Sequence, residues 1–243
     1  MTLNKTKIEW CDRTWNPVTG CLHGCSYCYA RKIAERFRGT KAWPNGFEPT
    51  YHPERLCDPE KTREPQSIFV CSVADLFGEW VPRLWTDQVF CQTIGAGHHE
   101  YIFLTKNPPN MKKLFLDFMG TIPNENYSFL TMPYSWFGTT VTGSEDVHRI
   151  RDLQEFPHPH RLVSFEPLLS NPGKLNLIGI RQVIIGAQTN PFDPPQMSWI
   201  LNIVNAARKA GALIFMKDSL KSMMCNMINV PIFPRELCWK VRK

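Results

Sequence analysis

The chain reads as an α/β protein, a partial (β/α)6–7 barrel of parallel strands with outer helices. Three observations predict this class. Short, near-continuous apolar runs alternate with helix-forming segments, the pattern of strands buried on both faces. Each run gives way to a polar or ionisable residue, as strands do at the functional face of such barrels. The length of 243 residues suits a single domain, 1–243.

Taken in order, residues 14–20 form a strand-like run closed by a glycine, and residues 30–37 are helix formers. Residues 39–66 are rich in proline, glycine and charge, and are read as a long, ordered loop insertion beside a site. Strands follow at 67–71, 101–104, 136–141, 161–165, 182–186 and 212–216. Helices are expected over 86–94, 109–119 and 197–209, and Ser144 is placed to cap another through Ile150 and Leu153. Residues 218–243 make a short C-terminal extension. The strand-end groups are Asp75, Lys106, Thr140 or Thr142, Glu166, Gln188 and Lys217. Each is a site candidate or simply the point where a strand meets solvent.

Apolar residues make up 43% and charged residues 21%, ordinary for a globule with a full core. No apolar run approaches the roughly twenty residues needed to cross a bilayer. The first seven residues lack a signal-peptide core. Nine cysteines in such a chain argue for reducing cytoplasm and against a disulfide framework. The net charge of +6 is compatible with a nucleotide or nucleic-acid substrate and equally with a mildly basic surface. The pair His98 and His99 is read as surface.

The most informative stretch is Cys21-Leu22-His23-Gly24-Cys25-Ser26-Tyr27-Cys28. A structural zinc takes four closed protein ligands, and an ordinary iron–sulfur cluster is held by four thiolates. Three thiols on one tight loop suggest a four-iron cluster with one iron open to a non-protein ligand. The competing reading is a zinc knuckle completed by His23, Cys11 or a distant cysteine. It would make the chain a non-catalytic zinc-binding protein that binds nucleic acid or a partner.

The C-x3-C-x2-C spacing, with an aromatic before the last cysteine, resembles the cluster loop of radical S-adenosylmethionine (SAM) enzymes. Further segments resemble the phage-associated Gp37/Gp68 (DUF5131) family, whose members carry a radical-SAM-like core. They include Lys7-Ile8-Glu9-Trp10, residues 14–21, Cys28-Tyr29-Ala30 and His52-Pro53-Glu54-Arg55-Leu56. They continue with Asp75-Leu76-Phe77, Leu104-Thr105-Lys106 and Phe165-Glu166-Pro167-Leu168-Leu169. Two departures stand out: Gly186-Ala187-Gln188-Thr189 in place of a Gly-Gly-Glu-Ser-like turn, and Lys217-Asp218 in place of a Lys-Gln-Trp-like end.

The resemblance implies a barrel of the radical SAM type and a [4Fe–4S] cluster on Cys21, Cys25 and Cys28. SAM would take the fourth iron through its amino and carboxylate groups. Its reductive cleavage would give methionine and a 5′-deoxyadenosyl radical that abstracts hydrogen from substrate. Tyr27 is a candidate adenine contact or an ordinary packed aromatic. Ser72 and Asp75 stand by position where relatives hold the SAM amino group. Thr140 and Thr142 would reach the ribose, Gly186 would admit adenine close to the backbone, and Gln188 lies beside it. Catalytic candidates are Cys71, as hydrogen-atom donor or buried small residue, with Glu166 and Lys217. Phage association tilts the substrate towards a nucleobase or modified nucleotide, in DNA hypermodification, isomerisation or repair. The reaction would be that of an isomerase, lyase or oxidoreductase. The implied partner is a flavodoxin- or ferredoxin-like electron donor, with no membrane involved.

Overall fold

The computed structural model describes residues 3–122, 132–224 and 235–237. Its elements in order are β1 (Asn4–Lys5), β2 (Arg13–Trp15), β3 (Val18–Thr19), α1 (Tyr29–Arg36), β4 (Thr50–Tyr51) and β5 (Ser67–Val70). Next come α2 (Arg83–Gly95), β6 (Glu100–Thr105), α3 (Pro108–Met119), β7 (Ser135–Thr140), α4 (His148–Gln154), β8 (Arg161–Phe165) and β9 (Gln182–Ile185). The hairpin β10 (Gln188–Thr189) and β11 (Phe192–Asp193), α5 (Met197–Ala210), β12 (Leu213–Met216) and α6 (Lys221–Met224) complete the series.

The fold is mixed α/β, with a mostly parallel eight-stranded sheet ordered β1-β2-β5-β6-β7-β8-β9-β12 and flanked by helices. The pairs β2–β5, β5–β6, β7–β8, β8–β9 and β9–β12 are parallel, and β1 adds antiparallel to β2. The partial (β/α) barrel class expected from the apolar runs is therefore the class observed. Every residue of β9 is buried, which explains its unbroken apolar run, Val183-Ile184-Ile185. No helix among the described residues is long and apolar enough to cross a membrane.

The chain divides into two compact units, Met1–Trp136 and Phe137–Lys243. In the first, Phe77, Phe90 and Phe103 pack with ring centroids 5.7 to 6.1 Å apart, and α3 adds Phe115 and Phe118 to Phe90. The side chain of Asn107 accepts from Asn110 N at 3.3 Å and so caps α3, with Pro108 at its first turn. In the second, α5 buries Ile200, Ile203, Val204 and Ala207. It stops at Gly211, whose left-handed backbone (φ 71°) closes the helix.

Three local expectations are corrected. Ser144 caps no helix: it starts a 3-10 turn over Ser144–Asp146, and α4 begins after Val147. Asp146 is the organising group instead, its Oδ2 accepting from Thr142 N at 2.9 Å and Thr142 Oγ1 at 2.7 Å. His99 is not on the surface but fully buried, while its neighbour His98 is exposed. The run at 14–20 is two short strands, β2 and β3, separated at Asn16-Pro17. Within the extension expected over 218–243, residues 225–234 and 238–243 lie outside the described residues, Cys225 and Cys238 among them.

Candidate functional site

The cysteine loop leaves β3 through Gly20 and runs straight into α1, with Cys28 at the helix N-cap. Gly20 is obligatory there: its φ is +85°, and a Cβ would stand 2.3 Å from the carbonyl oxygen of Glu48. That close approach lets Cys21 N donate to Phe47 O at 3.1 Å and Gly20 N to Val73 O at 3.2 Å. The 39–66 segment thus meets the start of the cysteine loop through Phe47 and Glu48. His52 adds a further contact from the same segment, its Nε2 lying 2.9 Å from Thr19 Oγ1.

Asp75, buried after β5, is the anchor of the loop. Its Oδ1 accepts from Phe77 N (3.0 Å) and Thr105 Oγ1 (2.8 Å). Its Oδ2 accepts from Lys106 N (2.9 Å) and from His23 Nε2 (2.7 Å), inside the cysteine loop. Four donors occupy both carboxylate oxygens, so this carboxyl fixes the loop to the ends of β5 and β6.

Lys106, just past β6, makes the second tie. Its ammonium donates to Cys25 Sγ at 3.1 Å and to the hydroxyl of Tyr27, and stands 4.8 Å above the centre of the Tyr27 ring. Burial works against a charged amine here, but the bonds to Tyr27 and Cys25 outweigh it and hold Lys106 above the ordinary lysine value. Burial likewise raises the Tyr27 phenol, with Lys106 opposing in part. Burial pushes the Cys21 thiol up to about 11, and the charges of Asp75, Cys25 and Cys28 add to the effect. A Cys21 thiolate would therefore need a metal cation bound to it to form at ordinary pH.

Other expected residues of this unit sit close by in the chain but do other work. Ser72 Oγ donates to Asn16 Oδ1 at 3.1 Å, and its carbonyl accepts from Tyr29. Cys71 is fully buried with φ at 54°, a turn residue, and burial raises its thiol to about 12. It is a neutral thiol at ordinary pH.

The second unit gathers Glu166, after β8, and Lys217, after β12, in a half-buried ion pair. Gly186, after β9, is the floor of this pair. A Cβ there would meet Lys217 Cδ at 3.0 Å and Glu166 Cγ at 3.2 Å, so a larger residue would press on both side chains. Thr142 is bound to Asp146, and the Thr140 carbonyl accepts from Arg149. Gln188 lies in the β10–β11 hairpin, its amide donating to Pro191 O at 3.1 Å.

The sequence offers His23 only as a zinc ligand and Lys106 only as a strand-end candidate, with no role in anchoring the cysteine loop for either. Trp80 was missed altogether. It packs edge-on against His23 with ring centres 4.8 Å apart, and its indole N–H is buried with no hydrogen-bond partner among the described residues. The donor set therefore suits a thiolate-bound cluster: three thiols, a lysine aimed at one sulfur, and a spare N–H beside the loop. Among the described residues no three His, Cys, Asp or Glu side chains are arranged as the ligand set of a single metal ion.

The family described as "Protein of unknown function (DUF5131)" matches residues 5–228. The chain belongs to the DUF5131 family. Comparison of this DUF5131 chain with curated proteins gives no match. Among solved structures, spore photoproduct lyase bound to dinucleoside spore photoproduct is similar at a TM-score of 0.52 and 9% identity. A cysteine-to-alanine mutant of that lyase, with the same dinucleoside, is similar at 0.52 and 10%. Each likeness covers 86% of this chain and 64% of the lyase chain, so the DUF5131 chain spans about two thirds of the lyase's length. At such identity the likeness is one of fold.

Proposed function

We propose that this chain is a radical SAM enzyme acting on a nucleobase or modified nucleotide. The observation that carries the reading is the Cys21, Cys25 and Cys28 loop, pinned by Asp75 and Lys106, in a fold like that of spore photoproduct lyase. Cys21, Cys25 and Cys28 would hold a [4Fe–4S] cluster. When bound, cluster and SAM together supply one-electron cleavage of a sulfur–carbon bond, giving methionine and a 5′-deoxyadenosyl radical that takes hydrogen from substrate.

The protein's own contribution is position and exclusion of side reactions. Asp75 and His23 hold the loop still. Lys106 places positive charge against Cys25 Sγ, which favours an added electron there. Tyr27, stacked by Lys106, is the adenine contact, while Ser72 and Asp75 shape the region that takes the SAM amino group.

Glu166 and Lys217 offer an acceptor and a donor side by side, the pattern that reads the edge of a base and moves a proton at it. Cys71 retains its hydrogen at physiological pH, the state a hydrogen-atom donor requires. The nucleotide assignment draws support from the dinucleoside bound to the similar lyase. Hypermodification, isomerisation or repair of DNA all fit that substrate class.

The reading is tested by loading the protein with iron and sulfide under anaerobic conditions and adding dithionite and SAM. Release of 5′-deoxyadenosine supports it. Deuterium transfer from labelled nucleosides or oligonucleotides into that product then identifies the substrate. No 5′-deoxyadenosine from cluster-loaded protein contradicts it.

A further inference from the structure

The cysteine loop and α1 expose an apolar face that folding does not require. The inward side of α1 is satisfied by Ala30 and Ala34, which pack with Trp43 and Phe47. On the outward side Tyr29, Ile33 and Phe37 recur at every fourth residue and are 51%, 42% and 47% exposed. Leu22, next to Cys21, is 50% exposed. Cys28 is the N-cap of the helix, so the face begins at the thiols themselves.

The charge around this face has one sign. Residues 21–41 contain five basic side chains, Arg31, Lys32, Arg36, Arg38 and Lys41, and one acidic, Glu35. Glu35 is already held by Arg38 through both carboxylate oxygens. The stretch therefore carries most of the chain's net charge of +6. Arg36 lies over the Phe37 ring at 5.5 Å, keeping positive charge beside the apolar stripe. An apolar centre with a charged rim is the make-up of a small, transient interface, and electron-transfer encounters fall in this class.

We propose, building on the radical SAM reading above, that this face is the docking surface for a small acidic one-electron carrier protein. Electron passage weakens steeply with distance, so the carrier must approach where the thiols lie nearest solvent. Docked here, the reduced carrier gives up one electron to the cluster held by Cys21, Cys25 and Cys28. The carrier ends one electron oxidised, the cluster one electron reduced, and no bond changes in this step. Long-range attraction between the basic rim and an acidic carrier speeds the encounter and falls with salt.

The test uses the cluster-loaded protein with SAM and a flavodoxin of net negative charge as the probe, against dithionite as a chemical reductant. Two variants are compared with wild type: the double charge reversal Lys32→Glu/Arg36→Glu, and Phe37→Ser. The expected result is a loss of about tenfold or more in flavodoxin-driven 5′-deoxyadenosine release in each variant, with dithionite-driven release unchanged. The wild-type flavodoxin rate should fall with added salt, and the charge-reversed rate should not. Equal flavodoxin rates in wild type and both variants overturn the proposal. So does a wild-type dimer that Phe37→Ser dissociates, or loss of oligonucleotide binding on charge reversal with the flavodoxin rate intact. Failure of dithionite to release any 5′-deoxyadenosine from wild type instead overturns the radical SAM reading, and the docking surface with it.

Discussion

The Nε2 of His23 lies 2.7 Å from Oδ2 of Asp75, joining the middle of the cysteine loop to a carboxylate that is 4% exposed. That bond makes the loop part of the sheet's frame. The same carboxylate accepts from Phe77 N, Thr105 Oγ1 and Lys106 N. Asp75→Ala should strand these buried donors and cost about 3 kcal/mol of stability. Denaturant unfolding of the metal-free protein checks the magnitude. His23→Ala, which leaves the other three bonds in place, should cost under about 1 kcal/mol and act mainly on iron retention.

Gly20 is the hinge on which the thiols enter. With φ at +85° and Glu48 O 2.3 Å from any added Cβ, Gly20→Ala cannot be absorbed by a side-chain shift. The expected loss is about 2–4 kcal/mol, with poor iron uptake in whatever protein folds. Denaturation midpoints and iron analysis of the variant read both effects.

Lys106→Met removes the charge beside Cys25 Sγ. A reduced cluster is the more negative form, so its potential should fall. The expected drop is about 60 mV, a decade in a one-electron equilibrium. An EPR-monitored redox titration measures it, and Lys106→Arg should recover part of the shift.

Acid should destabilise the fold through His99. Its Nδ1 accepts from Gln66 N at 3.1 Å, which leaves Nε2–H to donate to Pro59 O at 3.0 Å. Burial, the larger cause, and the neighbouring His98 depress its pKa below the ordinary 6.5. The unfolded chain therefore takes up the proton first. Stability is fully present above about pH 6.5 and declines as pH falls from there towards the depressed value. The denaturation midpoint followed from pH 7.5 to 5 should show this slope in wild type and a weaker one in His99→Gln.

Glu166→Gln and Lys217→Met should each slow turnover of the nucleotide substrate by about 10²-fold. Abortive 5′-deoxyadenosine release should continue, because SAM cleavage is assigned to the cysteine loop and not to this pair. Product analysis by mass spectrometry separates the two outcomes.

Much of this was legible in the chain because it is written locally. The run that became β9 is buried throughout, as is β12 from Ile214 to Met216, and both stay apolar there without interruption from Val183 and Leu213 onward. The cysteine loop is legible for the same reason, its three thiols falling within eight consecutive residues. What escaped is what the fold brings together from afar. His23 meets Asp75 across 52 residues, and Lys106 meets Cys25 across 81. Neither spacing leaves a periodic trace. His99 was misplaced because composition treats it like His98, whereas the turn into β6 carries His99 beneath residues 59–66. Ser144 has the right residue type for a cap, but Asp146 reached the Thr142 backbone and set the turn.

The most direct measurement is metal and sulfide analysis, with EPR, of anaerobically purified protein beside its Cys21→Ala/Cys25→Ala/Cys28→Ala variant. About four irons and four sulfides per chain are predicted in wild type, with an EPR signal on reduction that changes when SAM is added. The triple variant should bind no iron. Stoichiometric zinc without iron in wild type, or a triple variant that keeps its iron, would contradict the cluster on this loop.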